Sequence, residues 1–354
     1  GLLVHPQGPP KTMSGGGGGS SVPMSAGEKV KLIGLFLLWY LGNYYYNIYN
    51  KVALNEGGGK TGPYPYTIAT AQLGIGFLWA IASWMITINP ITFARQVMPK
   101  LSFSDCMSVS GVSVFSALAH LGSVLTMNAG SVAFGQIVKA AEPVFAAGVN
   151  TLFYSKPPTM AKALMLPIIV LGVAIACLKP DKDGHYKVEF EVVAVLAGSA
   201  ANLAAAFKGS ENARLMSAPG LKERIGGTGN QFALSQVFGF IALIPIALYM
   251  EGANLSGFVK LCQTNQKFLY NLVLSGLTFY GYNELSTMTI HYTSAITQSV
   301  ANTAKRVIVI VGVAIALGKP LTFEEKVGSA VSISGVFLYS IADSLFSKPK
   351  AKKN

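Results

Sequence analysis

The sequence predicts an all-α polytopic membrane protein with ten transmembrane helices arranged as two inverted five-helix repeats. Hydrophobic residues make up 51% of the 354 residues, only 12% are charged, and the mean hydropathy is +0.46. A soluble domain carries about twice that share of charge. Apolar stretches of the roughly 20 residues that a bilayer crossing needs recur along the chain. A short motif also recurs at one constant spacing in the two halves.

Apolar windows divide the chain into ten candidate helices, joined by segments too short to hold a soluble domain. Their approximate spans are 30–50, 64–88, 104–127, 130–154, 160–178, 190–214, 230–250, 267–289, 293–317 and 325–346.

The two ends of the chain differ in composition from these windows. Residues 1–28 contain five consecutive glycines and several prolines, cannot bury apolar surface, and are predicted to be disordered. The predicted organisation is the Gly/Pro-rich segment 1–28, a first half 29–180, a second half 181–347 and a basic tail 348–354. More Lys and Arg lie on the side of the two termini, which places both termini on the cytoplasm-equivalent side.

The two halves repeat each other at a constant offset of 163 residues. Ser131, Lys156, Pro157, Thr159 and Gly172 recur as Ser294, Lys319, Pro320, Thr322 and Gly335. Five helices is an odd number, so the halves must cross the membrane in opposite directions. Inverted repeats are typical of secondary transporters, whose site lies near the midplane where the repeats meet. The alternative is that Lys-Pro turns between helices coincide by chance.

Three cations lie inside apolar segments. Lys305 and Arg306 interrupt an otherwise uncharged stretch, and Lys139 lies in the middle of another. A charge in mid-membrane costs at least about 2.5–3.5 kcal/mol, so such residues usually face a cavity. The planar fork of Arg and the point charge of Lys can together enclose a tetrahedral dianion. The pattern therefore indicates the anion site of a membrane transporter. The alternative is structural pairing with Glu142 or Glu284.

The repeat has diverged at these charged positions. When the two halves are aligned at the offset of 163 residues, Glu142 and Pro143 correspond to Lys305 and Arg306. Lys139 corresponds to Asn302. A substrate with one strongly anionic end would explain the divergence, and so would drift.

Several further polar residues fall inside the predicted helices. Lys208 could join the anion site or extend to the membrane interface. His120 is the one histidine in the middle of a segment, and either contacts substrate or only packs and hydrogen-bonds. Glu284 must be paired, protonated or solvated. Lys305 and Arg306 are its predicted partners, with proton transfer as the alternative.

Other residue types exclude several functional classes. The three cysteines are scattered and lack the spacing of a disulfide framework or zinc site. No catalytic triad, Cys-His pair or paired carboxylates stand out, so no enzyme, cofactor or metal is expected. The net charge of +12 lies mostly in short loops and the tail, so it reflects membrane topology rather than nucleic-acid binding. The asparagines of the first helix, Asn43, Asn47 and Asn50, are spaced to line one face, which could line a cavity or form hydrogen bonds to neighbouring helices, and the second role is favoured.

Over about residues 30–346 the sequence resembles the plastidic phosphate translocators of the drug/metabolite transporter superfamily. The motifs that carry the resemblance are Asn47-Ile48-Tyr49-Asn50-Lys51, Pro63-Tyr64-Pro65-Tyr66, Ile137-Val138-Lys139-Ala140-Ala141-Glu142-Pro143, Tyr282-Asn283, Asn302-Thr303-Ala304-Lys305-Arg306-Val307 and Gly335-Val336-Phe337-Leu338-Tyr339-Ser340.

The resemblance implies ten helices in two inverted halves and exchange of inorganic phosphate for a phosphorylated metabolite. It implies that phosphate is held by Lys139, Lys305 and Arg306. It also implies that His120 and Tyr282 contact the substrate.

At other positions the sequence matches the family less closely. Lys208 stands where many members have arginine, and Ser123 where triose-phosphate members have a small hydroxyl or similar residue. Glu284 replaces a usual glutamine. The usual Thr-His pairs are replaced by Gly135-Gln136 and Thr297-Gln298. These departures leave phosphate binding plausible and put the organic part of the substrate in doubt.

The expected activity is antiport of inorganic phosphate against phosphorylated C3 metabolites by alternating access. Triose phosphate and 3-phosphoglycerate are the expected metabolites, with phosphoenolpyruvate as a further candidate. The expected location is the inner plastid envelope or another plastid membrane, of a chloroplast or an apicoplast-like organelle. The alternatives are a nucleotide-sugar transporter of the Golgi or endoplasmic reticulum, and an anion channel or structural membrane protein.

Overall fold

The computed structural model describes residues 26–91, 93, 95–180, 186–188, 192–293 and 295–346. The predicted disorder of residues 1–28 falls outside these ranges except at the last three positions. The predicted basic tail, residues 348–354, lies wholly outside them.

The regular structure of the described residues comprises fourteen α-helices, two short 3₁₀ helices (Gly59–Thr61 and Gly252–Asn254) and two short strands. The helices are α1 Ala26–Glu56, α2 Pro65–Ile86, α3 Phe103–Ala129, α4 Val132–Lys139, α5 Glu142–Tyr154, α6 Met160–Ala163, α7 Leu166–Ala176, α8 Val192–Met216, α9 Leu221–Ile225, α10 Thr228–Glu251, α11 Leu255–Thr264, α12 Gln266–Tyr292, α13 Ala295–Ala316 and α14 Phe323–Phe346. The strands β1 (Leu178–Pro180) and β2 (Tyr186–Val188) pair antiparallel.

The chain is an all-α polytopic membrane protein apart from this hairpin. Within the described residues, six helical stretches are long and apolar enough to cross a membrane, and Met160–Ala176 is a shorter apolar one. The six are Pro65–Ile86, Phe103–Ala129, Val132–Tyr154, Val192–Leu215, Gly229–Thr264 and Phe323–Leu345. Helices α1, α12 and α13 are not among the six: α1 has asparagines in its middle, α12 carries Glu284, and α13 carries Lys305 and Arg306.

Two of the predicted segments are each interrupted, so that prediction of single helices was wrong there. Segment 130–154 forms α4 and α5, and Pro143 lies in the first turn of α5. Segment 160–178 forms α6 and α7, and Pro167 lies in the first turn of α7. Proline lacks an N–H and its ring clashes with the carbonyl four residues earlier, so a helix ends before it and a new one begins.

Helices in the two halves begin at equivalent positions. Each of α2, α3, α4 and α6 begins 163 residues before its counterpart, which is α10, α12, α13 or α14 respectively. The caps also correspond. Ser102 accepts from the backbone N–H of Asp105 at the start of α3, and Asn265 accepts from that of Phe268 at the start of α12. The same helix-start signals therefore occur twice with the same spacing.

The packing of the helices follows the same equivalence. Helix α3 lies along α8, as α1 lies along α12, while α7 packs on α14 and α2 on α10. A Cβ on Gly172 would lie 2.3 Å from the backbone nitrogen of Ser332, and one on Gly335 would lie 3.0 Å from that of Ile169. These four residues form two pairs of positions offset by 163. Only glycine permits such close contact between α7 and α14.

Candidate functional site

A cavity of about 620 Å³ lies between the two halves of the protein. Its walls come from α1, α3, α4 and α5 of the first half and from α8, α10, α12, α13 and α14 of the second. This volume is typical of a small-molecule binding site.

The cavity brings together seven of the eight candidate residues from the sequence. They are His120, Ser123, Lys139, Lys208, Tyr282, Lys305 and Arg306. Lys139 is the last residue of α4 and lies at the interruption before α5. Lys305 and Arg306 lie in the middle of α13, which is continuous. Lys208 faces the cavity from α8.

The charge of the cavity is strongly positive. Its lining includes four cations (Lys139, Lys208, Lys305 and Arg306) and a single carboxylate, Glu142, among the described residues. Arg306 Nη2 lies 3.5 Å from Glu142 Oε2. Arg306 Nη1 is buried and has no hydrogen-bond partner in the described part of the chain. One carboxylate cannot balance four cations, so the cavity suits a multiply charged anion.

Aromatic rings hold Lys305 without neutralising it. Its Nζ lies 4.9 Å from the ring centroid of Trp39 and 6.0 Å from that of Tyr282. Contacts of this kind contribute about 0.5–2 kcal/mol. Across the described ranges Lys305 has no carboxylate within salt-bridge distance. Lys305 is therefore not paired with a described carboxylate and remains available to bind an anion.

His120 is packed among aromatic side chains at the cavity wall. It is 4% exposed, and its ring centroid lies 4.0 Å from that of Phe279 and 6.4 Å from that of Tyr46. Neither ring nitrogen has a hydrogen-bond partner among the residues described. Ser123 donates its hydroxyl proton to the carbonyl of Ala119 at 2.6 Å, which leaves its oxygen as an acceptor.

Glu284 is placed differently from the sequence interpretation, which paired it with Lys305 or Arg306. Its Oε1 instead accepts a hydrogen bond from Asn89 Nδ2, and the residue is fully buried outside the cavity lining. Arg306 pairs with Glu142. Each residue advances about 100° around a helix, so Glu284 points well away from Tyr282, which faces the cavity from the same helix. The prediction that Glu284 pairs with Lys305 or Arg306 was wrong because the sequence of one segment does not show which face of its helix points toward a neighbouring helix.

Amide side chains of the first helix have both of the roles that the sequence left open, although only the bonds between helices were favoured. Asn43 and Asn47 line the cavity. Asn47 Oδ1 also accepts from Gln136 Nε2 at 3.1 Å, joining α1 to α4. Asn50 Oδ1 accepts from Gln72 Nε2 at 2.8 Å, joining α1 to α2. Trp39, Asn43 and Asn47 are spaced four residues apart in the sequence, and this spacing places the three residues on one face of α1.

The described residues contain no group of three or more His, Cys, Asp or Glu that could hold a metal ion. The fold and cavity define a polytopic helical membrane protein with a cationic binding site between two halves.

Comparison with known proteins identifies the family. The model of the Triose-phosphate Transporter family matches residues 30–340, so the chain belongs to that family, which is one of transporters. The resemblance to plastidic phosphate translocators is thereby confirmed.

Curated relatives are similar over most of the chain. Phosphoenolpyruvate/phosphate translocator 3, chloroplastic, of Oryza sativa subsp. japonica is 29% identical, over 88% of this chain and 75% of its own. Phosphoenolpyruvate/phosphate translocator 1, chloroplastic, of the same organism is 30% identical, over 91% and 74%. Xylulose 5-phosphate/phosphate translocator, chloroplastic, of Arabidopsis thaliana is 29% identical, over 87% and 69%.

Proposed function

We propose that this protein is an antiporter that exchanges inorganic phosphate for phosphorylated C3 metabolites across a plastid membrane. The candidate metabolites are triose phosphate, 3-phosphoglycerate and phosphoenolpyruvate. The observation that carries the proposal is the cavity lined by four cations and one carboxylate. The names of the relatives, which are phosphate translocators of chloroplasts, support the phosphate and the plastid. The inner envelope is the proposed membrane.

The proposed binding site divides between phosphate and organic groups. Lys139, Lys305 and Arg306 hold the phosphate, with the guanidinium of Arg306 bonding two oxygens at once. Binding of the dianion draws Arg306 away from Glu142, because phosphate offers better geometry than a contact of 3.5 Å. The organic part of the substrate lies toward Lys208 and three uncharged residues, His120, Ser123 and Tyr282.

The proposed architecture is ten membrane crossings in two inverted halves, residues 29–180 and 181–347. The crossings are α1, α2, α3, α4–α5, α6–α7, α8, α10, α12, α13 and α14. Three observations support it: the equal offset of 163 between helix starts, the equivalent packing of α1 on α12 and α8 on α3, and the reciprocal glycine contacts of α7 and α14. The segments 1–28 and 348–354 lie outside the two halves.

Exchange follows from the charge of the cavity. An empty cavity carries uncompensated positive charge, which opposes its closure from water inside the membrane. A bound phosphate dianion neutralises that charge, so both halves can close around it and open on the other side. The empty carrier cannot easily return, and each inward step therefore requires an outward one.

Reconstitution into liposomes tests the proposal. We expect uptake of labelled phosphate into vesicles preloaded with phosphate or 3-phosphoglycerate, and little uptake into empty vesicles. Equal uptake into empty and preloaded vesicles would identify a uniporter or channel. Competition by nucleotides or nucleotide sugars, with none by phosphorylated C3 metabolites, would identify a nucleotide-sugar transporter. Sulfate-loaded vesicles serve as the control for a nonspecific anion leak.

A further inference from the structure

A buried lysine fastens the end of α1 to the end of α3. Lys51 Nζ donates to the carbonyl of Met127 at 2.5 Å and to that of Gly130 at 2.9 Å. The side chain is 7% exposed. The last carbonyls of a helix have no partner within the helix and carry partial negative charge, so a lysine there satisfies them and is itself compensated.

This contact connects two different packing units. Helix α1 packs along α12, and α3 packs along α8, whereas α1 and α3 touch each other little. Lys51 therefore holds the α1–α12 pair to the α3–α8 pair at one end of the cavity. The cavity lining stops at Asn47 and Met127 on that side.

The repeat offset of 163 assigns an equivalent to every partner in this contact. Arg214 in α8 corresponds to Lys51 in α1. Ile290 and Thr293 correspond to Met127 and Gly130. The helix ends agree with this assignment: α3 ends one residue before its cap Gly130, as α12 ends one residue before its cap Thr293, and both caps are extended.

The equivalent contact is not made. Arg214 is exposed, and no side-chain hydrogen bond or salt bridge joins it to a described residue, although its charge acts on Tyr154, whose hydroxyl bonds Glu211. On this side the cavity lining extends to Asn212, two residues before Arg214, and to Ser286 of α12. The lysine contact is therefore made at one end of the cavity, and the equivalent arginine contact is absent among the described residues at the other.

We infer that Lys51 and Arg214 are alternating latches of the transport cycle. In the opposite conformation Lys51 releases α3, and the guanidinium of Arg214 binds the last carbonyls of α12, those of Ile290 and Thr293. Each latch closes one side of the cavity by joining the same two helix pairs. This role depends on the proposed alternating access. Two residues outside the binding site, Lys51 and Arg214, would set the ratio of the two conformations of the protein.

Distances between spin labels on the full-length protein test the latches. The three native cysteines are replaced by serine, and pairs of exposed residues on the two packing units are replaced by cysteine and labelled. The pair Val193 and Leu269 reports the Lys51 end, and the pair Val30 and Met107 reports the Arg214 end. Double electron–electron resonance is measured in detergent or nanodiscs without substrate.

Opposite shifts are expected from the two neutral variants. Lys51→Gln should lengthen the Val193–Leu269 distance and shorten the Val30–Met107 distance, moving the ratio of conformations by about tenfold or more, the effect of losing a charge-assisted bond. Arg214→Gln should move the ratio the other way by a similar factor. Lys260→Gln and Lys222→Gln, which remove an exposed charge at the same ends, should move neither distance.

The result for Arg214 decides the inference. Unchanged distances in Arg214→Gln, or shifts of both variants in the same direction, would overturn it. Because Arg214 is exposed, its variant does not endanger folding, and Lys51→Arg should keep the parent distances because arginine can still bond the carbonyls. Phosphate exchange is measured separately on the unlabelled parent. If the unlabelled parent does not exchange phosphate, the proposed function is overturned. If it does, and the distances do not change in Arg214→Gln, only the proposed latches are overturned.

Discussion

Helices α4 and α5 occupy the same place in the 163-residue repeat as α13 but differ from it in backbone and charge. In the first half the helix is interrupted: α4 ends at Lys139, and α5 begins with Glu142 and Pro143. In the second half α13 runs without interruption through Lys305 and Arg306, the residues equivalent to Glu142 and Pro143. Proline breaks the helix where arginine continues it.

The difference separates two tasks within one cavity. The continuous helix presents two adjacent cations at fixed positions one residue apart. The interrupted helix places one cation at a helix end and a carboxylate in the first turn that follows, within reach of the opposite arginine. At two equivalent positions the first element carries Glu142 and Pro143 and the second carries Lys305 and Arg306, so the cavity has one strongly cationic wall and one mixed wall.

The largest expected effect comes from the continuous helix. Lys305→Ala and Arg306→Ala should each reduce phosphate exchange by about 100-fold or more, because each removes a charged partner of a buried dianion. Arg306→Lys should also be impaired, since lysine lacks the bidentate fork. Uptake into phosphate-loaded liposomes measures the effect, and a normal gel-filtration profile establishes folding. Lys319→Ala, an exposed lysine of the same half, is the control. Near-normal exchange in either alanine variant would remove that residue from the site.

A smaller loss is expected from the interrupted helix. Lys139→Asn places in the first half the residue that Asn302 provides in the second. It should raise the KM for phosphate about tenfold or more, because the remaining cations still hold part of the dianion. Lys156→Asn, an exposed loop lysine of the same half, should leave the KM unchanged. An unaltered KM in Lys139→Asn would mean that the two walls do not share the phosphate.

A gain in affinity is expected when the carboxylate of the mixed wall is neutralised. Glu142→Gln removes the partner of Arg306, so it should lower the KM for phosphate by about three- to tenfold. The change is modest because the Glu142 side chain is 43% exposed and its ion pair is screened. Saturation curves in liposomes measure it, with the exposed Glu223→Gln as control. A KM that rises instead would show that Glu142 orients Arg306 for binding rather than competing with the substrate.

The sequence predicted the helical membrane fold and the cations of the cavity lining for a physical reason. A charge in an apolar segment is too costly to be incidental, so Lys139, Lys305 and Arg306 could be identified from their surroundings alone. The groups that contact these cations could not be identified from the sequence. They depend on how far each helix is rotated and on what packs beside it, which is why the aromatic contact of Lys305 with Trp39 went unpredicted.

Some boundaries of the helices could likewise be predicted from the sequence, and others could not. Pro143 and Pro167 are visible in the sequence and account for the two interruptions that hydropathy windows passed over. The short helices α9 and α11 and the β1–β2 hairpin lie between the apolar windows of membrane-spanning length, so a search for such windows does not find them.

The smallest effect is expected at Glu284, which allows a matched comparison with Glu142. Both are carboxylates on helices of the cavity wall, but only Glu142 lines the cavity, whereas Glu284 is buried against Asn89. Glutamine keeps an oxygen that can accept the bond from Asn89 and costs less to bury than a carboxylate. Glu284→Gln should therefore leave the KM for phosphate within about twofold of the parent and leave thermal stability unchanged or higher. The same liposome assay, run in parallel with Glu142→Gln, measures the difference. A change in KM as large as that of Glu142→Gln would place Glu284 in electrostatic contact with the bound anion. If exchange instead became less dependent on pH while the KM stayed unchanged, Glu284 would be a proton carrier. The two walls would then also differ in that only one of them binds the coupling proton.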